Sequence, residues 1–507
     1  MVKESITSFR TNLKAGHLFL LLVLLIYSLV IIFSIDKCYF WDNVQFTSKE
    51  AHWYFNNNFS SFLLPGFSEN SEIVGSGCHP PLMGIMTAFL WKIFGKHLWV
   101  SHLFIAFWVV ILVYNTGKLL KFVLPEEIAG YILPVILLDS TILAQIFIAS
   151  PDIILLASFI ISVRAVIEKR RWLLAAAILF LVLINGRGAM TGGIVFIFYI
   201  IHQKIYENKK ITTRIIYESL LPFLPAFILV GFYYISYIIS YGWIFNDPDS
   251  PWISGWQRPE GLLHILKNLA AFCLRLGENG RFFIYLLGLF ALAGLYKREK
   301  LKAALNGLNL SLAWIFFFLF VFFFYFVVST TSAMTPRYYM GMFVIINILV
   351  FRMLPGILSL RNIKIISIAA IAFSITGNLW TYPDNISKAW DATLGHLPYY
   401  ELRAECLDYL EKNDYDFTKV SGGFCFNRNQ RYTDLKDRDL IISDRIDNKY
   451  FIYSNISNLE DVLITEFTDP EKWSEIRTFR KGFVFVSIYK NRLFDDPEQD
   501  VYGMRVK

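Results

Sequence analysis

Asp42 is a carboxylate set among aromatic residues soon after an uncharged apolar run. The run LFLLLVLLIYSLVIIF covers residues 18–33, and the stretch CYFWDNVQF follows at residues 38–46. Trp and Tyr favour the headgroup level of a membrane, so an aromatic belt with a merely solvated acid is one interpretation. An ionised carboxylate in this place could also accept a proton from a reacting hydroxyl group. The second interpretation predicts a reactive site at the membrane surface.

Further ionisable side chains recur beside later apolar runs. Asp152 opens the segment DIILL, His79 precedes a proline pair, and three arginines stand in short polar stretches: Arg187 in NGRGA, Arg281 in RLGENGR and Arg337 in TPRYYM. Ionisable groups at membrane depth are costly and tend to be functional. Ordinary explanations exist too, because Asp152 could cap a helix, Arg281 and Arg337 could reach outer headgroups, and His79 could be an ordinary loop residue.

The composition indicates an integral membrane protein. The 507 residues are 55% hydrophobic and only 18% charged, and the mean hydropathy is +0.46. Soluble proteins carry about 25% charged residues. The net charge of +7 is better explained by basic cytoplasmic loops than by nucleic-acid binding. The first apolar run lies behind Lys3, Arg10 and Lys14 without a small-residue cleavage site, so we expect a retained signal anchor.

Hydropathy predicts about eleven spans. They lie near 17–35, 98–117, 128–148, 153–167, 172–186, 190–203, 215–241, 282–296, 308–328, 339–355 and 363–380. A cytoplasmic N-terminus places the loops rich in Lys and Arg inside and the mixed-sign segments outside. The predicted fold class is therefore mostly α: a polytopic membrane helical bundle, N-in and C-out, with a small C-terminal α/β domain outside the cytoplasm.

The domain boundaries follow from where the apolar runs end. Residues 1–380 are predicted to form the transmembrane domain, and residues 381–507 a soluble domain outside the cytoplasm. Within the first external loop, 36–97, the segment HPPLMGIMTAFLWKIFGKH predicts an amphipathic helix lying in the outer interface and started by the prolines. In the soluble domain, 401–413 predicts a helix and 482–489 a strand.

Four of the five cysteines fall on the predicted outer side, where disulfides are permitted. Cys38 and Cys78 bracket the first external loop, and Cys406 and Cys425 belong to the C-terminal domain. The four cysteines could form two disulfides or remain free thiols, and the sequence leaves both alternatives open. The sequence contains no CxxC motif and no Cys/His zinc spacing, which argues against a structural zinc site.

The order of these motifs resembles the GT-C superfamily of integral-membrane glycosyltransferases. The likeness is greatest to the branch with protein O-mannosyltransferases and the lipid A aminoarabinose transferase. That branch has an acidic pair after the first span; here Asp42 matches the first acid and Asn43 replaces the second. His79 takes the basic position before the proline pair, Asp152 the later acid, and the pair at 337–338 the late Arg-Tyr. The resemblance covers residues 1 to about 380.

The resemblance implies an inverting glycosyltransferase of the inner (plasma) membrane. It would move a sugar from a polyprenyl-phosphate donor to a protein, lipid A or glycan acceptor on the outer face. The predicted catalytic residues are Asp42, as general base, and Asp152. The predicted donor phosphate ligands are Arg337, Arg281, His79 and Tyr338. The predicted sugar and acceptor pocket contains Trp41, Asn43 and Glu50.

The role of Asp152 and the use of a metal remain open at this point. Asp152 could orient the acceptor, hold an arginine, or bind a metal together with Asp42, and carboxylate ligands would favour Mg²⁺ or Mn²⁺. A transporter or lipid flippase would also have many spans and external arginines. The halves show no sequence symmetry and the spans contain few ionisable groups, which argues against that alternative. A simple receptor would not need eleven spans.

Overall fold

The computed structural model describes residues 2–65, 79–242, 253–332, 335–380, 389–424, 426–436, 440–457, 461–467 and 469–494. Cys78 and Cys425 lie outside these ranges. The two cysteine pairs therefore stay predictions.

Helices make up the part of the chain before residue 380. Their bounds are α1 (Val2–Ser34), α2 (Glu50–Asn56), α3 (Leu82–Phe94), α4 (Leu98–Val123), α5 (Glu126–Leu137), α6 (Ser140–Phe147), α7 (Asp152–Ile167), α8 (Arg171–Ile184), α9 (Gly186–Ile205), α10 (Thr213–Leu220), α11 (Leu224–Tyr241), α12 (Leu262–Gly277), α13 (Phe282–Lys297), α14 (Leu301–Ala304), α15 (Gly307–Ser329), α16 (Met340–Met353) and α17 (Leu360–Thr376). A π-helical turn, Val44–Lys49, precedes α2 directly. Helices satisfy their own backbone hydrogen bonds, which an apolar solvent requires.

Seven helices of the described chain are long and apolar enough to cross a membrane, or up to nine segments if each of two bent pairs is one span. The bent pairs are α5 with α6, at 56°, and α12 with α13, at 84°. Two other predicted spans correspond to α7 and α8, which have only 16 and 14 residues. The number of eleven spans and the orientation therefore stay predictions.

Local chemistry accounts for both bends. Asp139 accepts a hydrogen bond from the backbone N–H of Thr141 (2.9 Å) and so starts α6 as a new helix. Between α12 and α13, Gly280 has a φ of +83°, and a Cβ there would lie 2.2 Å from the carbonyl oxygen of Phe373. Only glycine fits this approach, so the chain can turn sharply here.

The helix predicted after the proline pair is confirmed as α3. One of its faces is buried, with Met83 and Trp91, and the other exposes Phe89, Ile93 and Phe94. This amphipathic pattern is typical of a helix that lies between a protein and an apolar medium. Its place at the membrane surface stays a prediction.

The C-terminal part is a small mixed α/β structure. Its elements are α18 (Pro398–Lys412), α19 (Arg431–Asp434), α20 (Asp461–Phe467), β1 (Val420–Gly422), β2 (Arg428–Asn429), β3 (Ile441–Ile442), β4 (Tyr450–Ser454), β5 (Trp473–Lys481) and β6 (Val484–Asn491). The main sheet has the order β1-β4-β6-β5, with β1 parallel to β4 and the other pairs antiparallel. The predicted helix and strand are confirmed as α18 and β6.

The C-terminal part packs directly on the first loop and on α6. The backbone N–H of Tyr39 donates to the carbonyl oxygen of Thr433 (2.8 Å), and Ser48 Oγ donates to that of Tyr432 (2.6 Å). On α6, the side-chain amide of Gln145 donates to the backbone carbonyl of residue 391 (2.6 Å). These contacts bring the segment after residue 389 beside the first loop, where the candidate site lies.

Candidate active site

A cavity with about 520 Å³ of empty volume lies between the first loop, the start of α7, the start of α9 and the 3₁₀ turn Pro336–Tyr339. Seven of the nine predicted site residues line it: Asp42, Asn43, Glu50, His79, Asp152, Arg337 and Tyr338. Residues from distant parts of the sequence are thus brought to one place. The cavity also contains Arg187, to which the sequence analysis gave no role.

Arg337 joins the acidic residues of the site. Its guanidinium donates to a carboxylate oxygen of Asp42, and its Nε lies 3.1 Å from Asp391 Oδ2 and 3.7 Å from Asp152 Oδ2. Only 6% of the Arg337 side chain is exposed. A planar guanidinium suits several carboxylates at once, so this arginine fixes the positions of the acids. The contact with Asp42 has the geometry of a hydrogen bond, whereas those with Asp152 and Asp391 are ion pairs.

Arg187 is the more accessible arginine. Its Nη2 donates to Asp152 Oδ1 at 2.8 Å, its guanidinium lies 3.8 Å from the ring centre of Tyr338, and 24% of the side chain is exposed. Asn185 places it by capping α9, since its side-chain oxygen accepts from the N–H of Gly188 at 2.9 Å. The stretch NGRGA on the predicted outer side was the available sequence signal.

Asp391 is a site residue that the sequence analysis missed. It lies in the 3₁₀ turn Trp390–Ala392 of the C-terminal part and is fully buried against Arg337. Burial raises the pKa of its carboxyl group, and the nearby Arg337 charge opposes this rise. No local motif surrounds it, so nothing in the sequence signals that it approaches the site.

His79 is fixed between the first loop and α9. Its Nδ1 accepts a hydrogen bond from the N–H of Gly186 (3.3 Å), and its ring lies 5.2 Å from that of Phe46. Tyr233 donates to the backbone carbonyl of His79 at 2.8 Å.

Asn43, which replaces the second acid of the family pattern, donates to the carbonyl of Ile148 (2.8 Å) and so ties the first loop to the bundle.

Two predicted site residues lie elsewhere. Arg281 forms a two-point ion pair with Asp139 at 2.8 and 2.7 Å, packs over the Phe343 ring, and does not line the cavity. It therefore holds the bend between α5 and α6 and is not placed to meet a donor phosphate. Trp41 is buried against Phe424 of the C-terminal part and does not line the cavity either. Both corrections arise from packing partners that sequence order does not specify.

The residues do not fit the metal site that was left open for Mg²⁺ or Mn²⁺. Asp42 and Asp152 both face the Arg337 guanidinium, which occupies the place of a cation shared between them. Among the described residues, no group of three or more His, Cys, Asp or Glu side chains is arranged to hold a metal ion.

A second, mostly apolar groove of about 460 Å³ adjoins the cavity. Its apolar lining comes from α7, α8, α15 and α16, and includes Leu155, Phe159, Leu181, Leu319, Phe323 and Met342. The groove shares four residues with the polar cavity: Asp152, Arg187, Arg337 and Tyr338. The apolar groove thus ends at Arg187 and Arg337.

The chain has the same fold as ArnT, the lipid A aminoarabinose transferase, as the resemblance predicted. One similar solved structure is that of ArnT from Cupriavidus metallidurans bound to undecaprenyl phosphate. That match has a TM-score of 0.50 at 12% identity and covers 93% of this chain and 97% of ArnT. The apo form of the same protein matches with a TM-score of 0.46 at 16% identity, over 68% and 60% of the two chains.

Sequence comparisons give no further assignment. No protein-family model matches the chain, and a search of curated proteins finds no match. The likeness to ArnT is therefore one of fold.

Proposed function

We propose that this protein is an inverting glycosyltransferase that moves a sugar from a polyprenyl-phosphate donor to an acceptor on the outer face of the membrane. The observation that carries the proposal is the junction of the apolar groove and the polar cavity at Arg187, Arg337, Asp152 and Tyr338. A lipid-linked sugar phosphate has three matching parts in the same order: an apolar chain for the groove, a phosphate for the arginines and a polar sugar for the cavity.

The groove suits the polyprenyl chain. Its aliphatic and aromatic walls would remove isoprenoid carbons from contact with polar groups, and ArnT, which has the same fold, has been solved with undecaprenyl phosphate bound. The phosphate would then lie where the groove ends. Arg187 is the better placed cation there, because Arg337 is four times less exposed and is engaged by three carboxylates.

Asp42 is the proposed general base. Its side chain is 23% exposed and lines the polar cavity, so an acceptor hydroxyl group can reach it. Arg337 fixes the orientation of its carboxylate. In the proposed step the acceptor oxygen bonds to the anomeric carbon, and its proton passes to Asp42. The bond from that carbon to the phosphate oxygen breaks on the opposite face, which inverts the configuration.

Arg187 completes the step from the donor side. The leaving polyprenyl phosphate gains negative charge as the bond breaks, and a guanidinium in a water-poor cavity stabilises that charge. Asp152 holds Arg187 through Nη2 and leaves the other nitrogens of this guanidinium for the phosphate. The enclosed site also limits competing hydrolysis by water.

The test is sugar transfer by purified protein. Radiolabelled polyprenyl-phosphate sugars are offered with total membrane glycolipid, glycan and protein acceptors, and product is separated from donor. Label should move to one acceptor class with wild type and not with Asp42→Asn. If wild type moves the intact carrier lipid between the leaflets of vesicles without breaking the sugar–phosphate bond, the protein is a flippase and the proposal is wrong.

A further inference from the structure

Glu50 is a cavity carboxyl group that the proposed reaction does not use. It begins α2 directly after the π-helical turn, and Asp42, Phe46 and Glu50 follow one another at four-residue spacing. The i→i+5 hydrogen bonds of a π-helix widen the turn, so residues four apart lie close to one face. All three side chains line the polar cavity. Isolated π turns are frequent at functional sites, which directs attention to this residue.

The backbone of α3 packs against Glu50 without an intervening side chain. A Cβ added at Gly84 would lie 2.4 Å from the Cβ of Glu50 and 2.9 Å from its Oε2. The glycine therefore makes the space in which the carboxyl group lies. Only 2% of Glu50 is exposed, so its position is fixed on one side by α3 and is open only toward the cavity.

The carboxyl group of Glu50 has no ion-pair or hydrogen-bond partner within the ranges that the structure describes. The basic residues next to it in sequence face elsewhere: Lys49 lies over the ring of Tyr432 at 5.4 Å, and the ring of His52 packs on Trp91 and Tyr432. Buried carboxyl groups ordinarily have a charged or hydrogen-bonding partner in the protein. A molecule bound in the cavity would supply this partner for Glu50.

Burial raises the pKa of Glu50 well above its usual range. The other charged or titratable groups that line the same cavity are Asp42, His79, Asp152, Arg187, Arg337 and Tyr338. On its own helix the facing group is Tyr54, whose pKa burial also raises. Burial thus favours the protonated form of this carboxyl group, and the O–H of that form is a hydrogen-bond donor.

We infer that Glu50 is a specificity-determining residue that donates a hydrogen bond to an oxygen of the transferred sugar. This inference rests on the proposed function. The sugar would lie between Asp42, which receives the acceptor's proton, and Glu50, both of which line one cavity. The substrate class is then a sugar with an uncharged hydroxyl or carbonyl oxygen at the position facing Glu50, since a neutral acid donates to such an atom.

Two variants separate the donor role from charge and packing. Glu50→Gln keeps the size and an N–H donor and cannot ionise, whereas Glu50→Leu keeps the volume and removes the donor. Glu405→Gln, an exposed glutamate on α18, is the matched control for removal of a carboxylate. Thermal midpoints in detergent show whether each variant folds. Dissociation constants are measured for two probes, the sugar-bearing polyprenyl phosphate and bare undecaprenyl phosphate.

If Glu50 contacts the sugar, its replacement should weaken binding only of the probe that carries a sugar. Glu50→Leu should weaken binding of the sugar-bearing donor about 10- to 100-fold, the effect of one buried hydrogen bond, and leave binding of the bare carrier unchanged. Glu50→Gln and Glu405→Gln should bind both probes within about threefold of wild type. In wild type, binding of the sugar-bearing donor should fall at alkaline pH as Glu50 ionises, and this fall should be absent from Glu50→Gln.

Three results would overturn it: equal binding of the sugar-bearing donor by Glu50→Leu and wild type, an equal loss for the bare carrier, or a Glu50→Gln variant as weak as Glu50→Leu. Failure of the proposed function looks different. In that case wild type binds the donor but transfers no label to any acceptor, whereas the binding difference between the two probes still reports on Glu50.

Discussion

Arg187 and Arg281 make a matched pair for testing which arginine meets the donor phosphate. Both form an ion pair with an aspartate, but Arg187 lies at the junction of groove and cavity and is 24% exposed, whereas Arg281 is buried on Asp139 away from the cavity. Under the proposed function, Arg187→Ala removes the positive charge that meets the donor phosphate. Arg281→Ala leaves the half-buried carboxylate of Asp139 without its ion-pair partner, so only the Thr141 N–H still donates to it.

The two losses should fall on different quantities. A hydrogen bond between charged groups is worth about 1.5–3 kcal/mol, so Arg187→Ala should lower kcat/KM about 10- to 150-fold, with most of the loss in kcat. Breaking a buried ion pair costs about 3–5 kcal/mol of stability, so Arg281→Ala should lower the thermal midpoint clearly. The protein that stays folded at low temperature should keep near wild-type kcat.

The assay is initial-rate transfer of labelled sugar at several donor concentrations, together with thermal unfolding of each variant in the same detergent. Arg187→Lys should recover part of the lost rate, because Lys meets phosphate as a point charge and cannot bind it at two points. Near wild-type kcat/KM for Arg187→Ala would refute the assignment. So would an Arg281→Ala variant that keeps its thermal midpoint and loses turnover.

Three further predictions concern the base, pH and orientation. Asp42→Asn should lower the transfer rate about 10²–10⁴-fold, because it cannot accept a proton, while undecaprenyl phosphate still binds; a rate near wild type would exclude Asp42 as the base. Burial lowers the pKa of His396 to about 4. The folded protein disfavours the charged form of His396, so the unfolded chain takes up the proton first as the pH is lowered. The free energy of unfolding should therefore decrease by about 3 kcal/mol as the pH falls from the usual pKa of about 6.5 to about 4. Thermal midpoints measured from pH 7 to pH 5 should therefore fall more steeply for wild type than for His396→Asn, and equal slopes would contradict this. A reporter fused after Lys507 should be active only when it works outside the cytoplasm; activity of a reporter restricted to the cytoplasm would reverse the predicted orientation.

The parts of the fold that were predictable are those that depend on local pattern. Hydropathy indicated the helices, the proline pair indicated the start of α3, and alternation indicated β6. The motif order also predicted the fold that the chain shares with ArnT. The bends at Asp139 and Gly280 were not predictable, because a cap and a close backbone approach depend on what packs nearby.

The order of the motifs and their predicted side of the membrane were enough to predict part of the candidate site. These two properties grouped Asp42, His79, Asp152 and Arg337, and the structure places all four around one cavity. They could not show which acid each arginine would meet. Asp391 was missed for the same reason, since its approach to Arg337 depends on how the C-terminal part packs on α6.

The cluster around Arg337 also determines when during synthesis the candidate site can be complete. Its three carboxylates come from the first loop, from the start of α7 and from a turn that begins the C-terminal part. Ribosomes make the first of these segments long before the last. Until residue 391 has been made and has packed on α6, Arg337 lacks one of its partners and Asp42 is not held in its final place. A nascent chain in the membrane would then already contain the apolar groove but not the arranged acids, so under the proposed function it could not yet cleave a lipid-linked sugar.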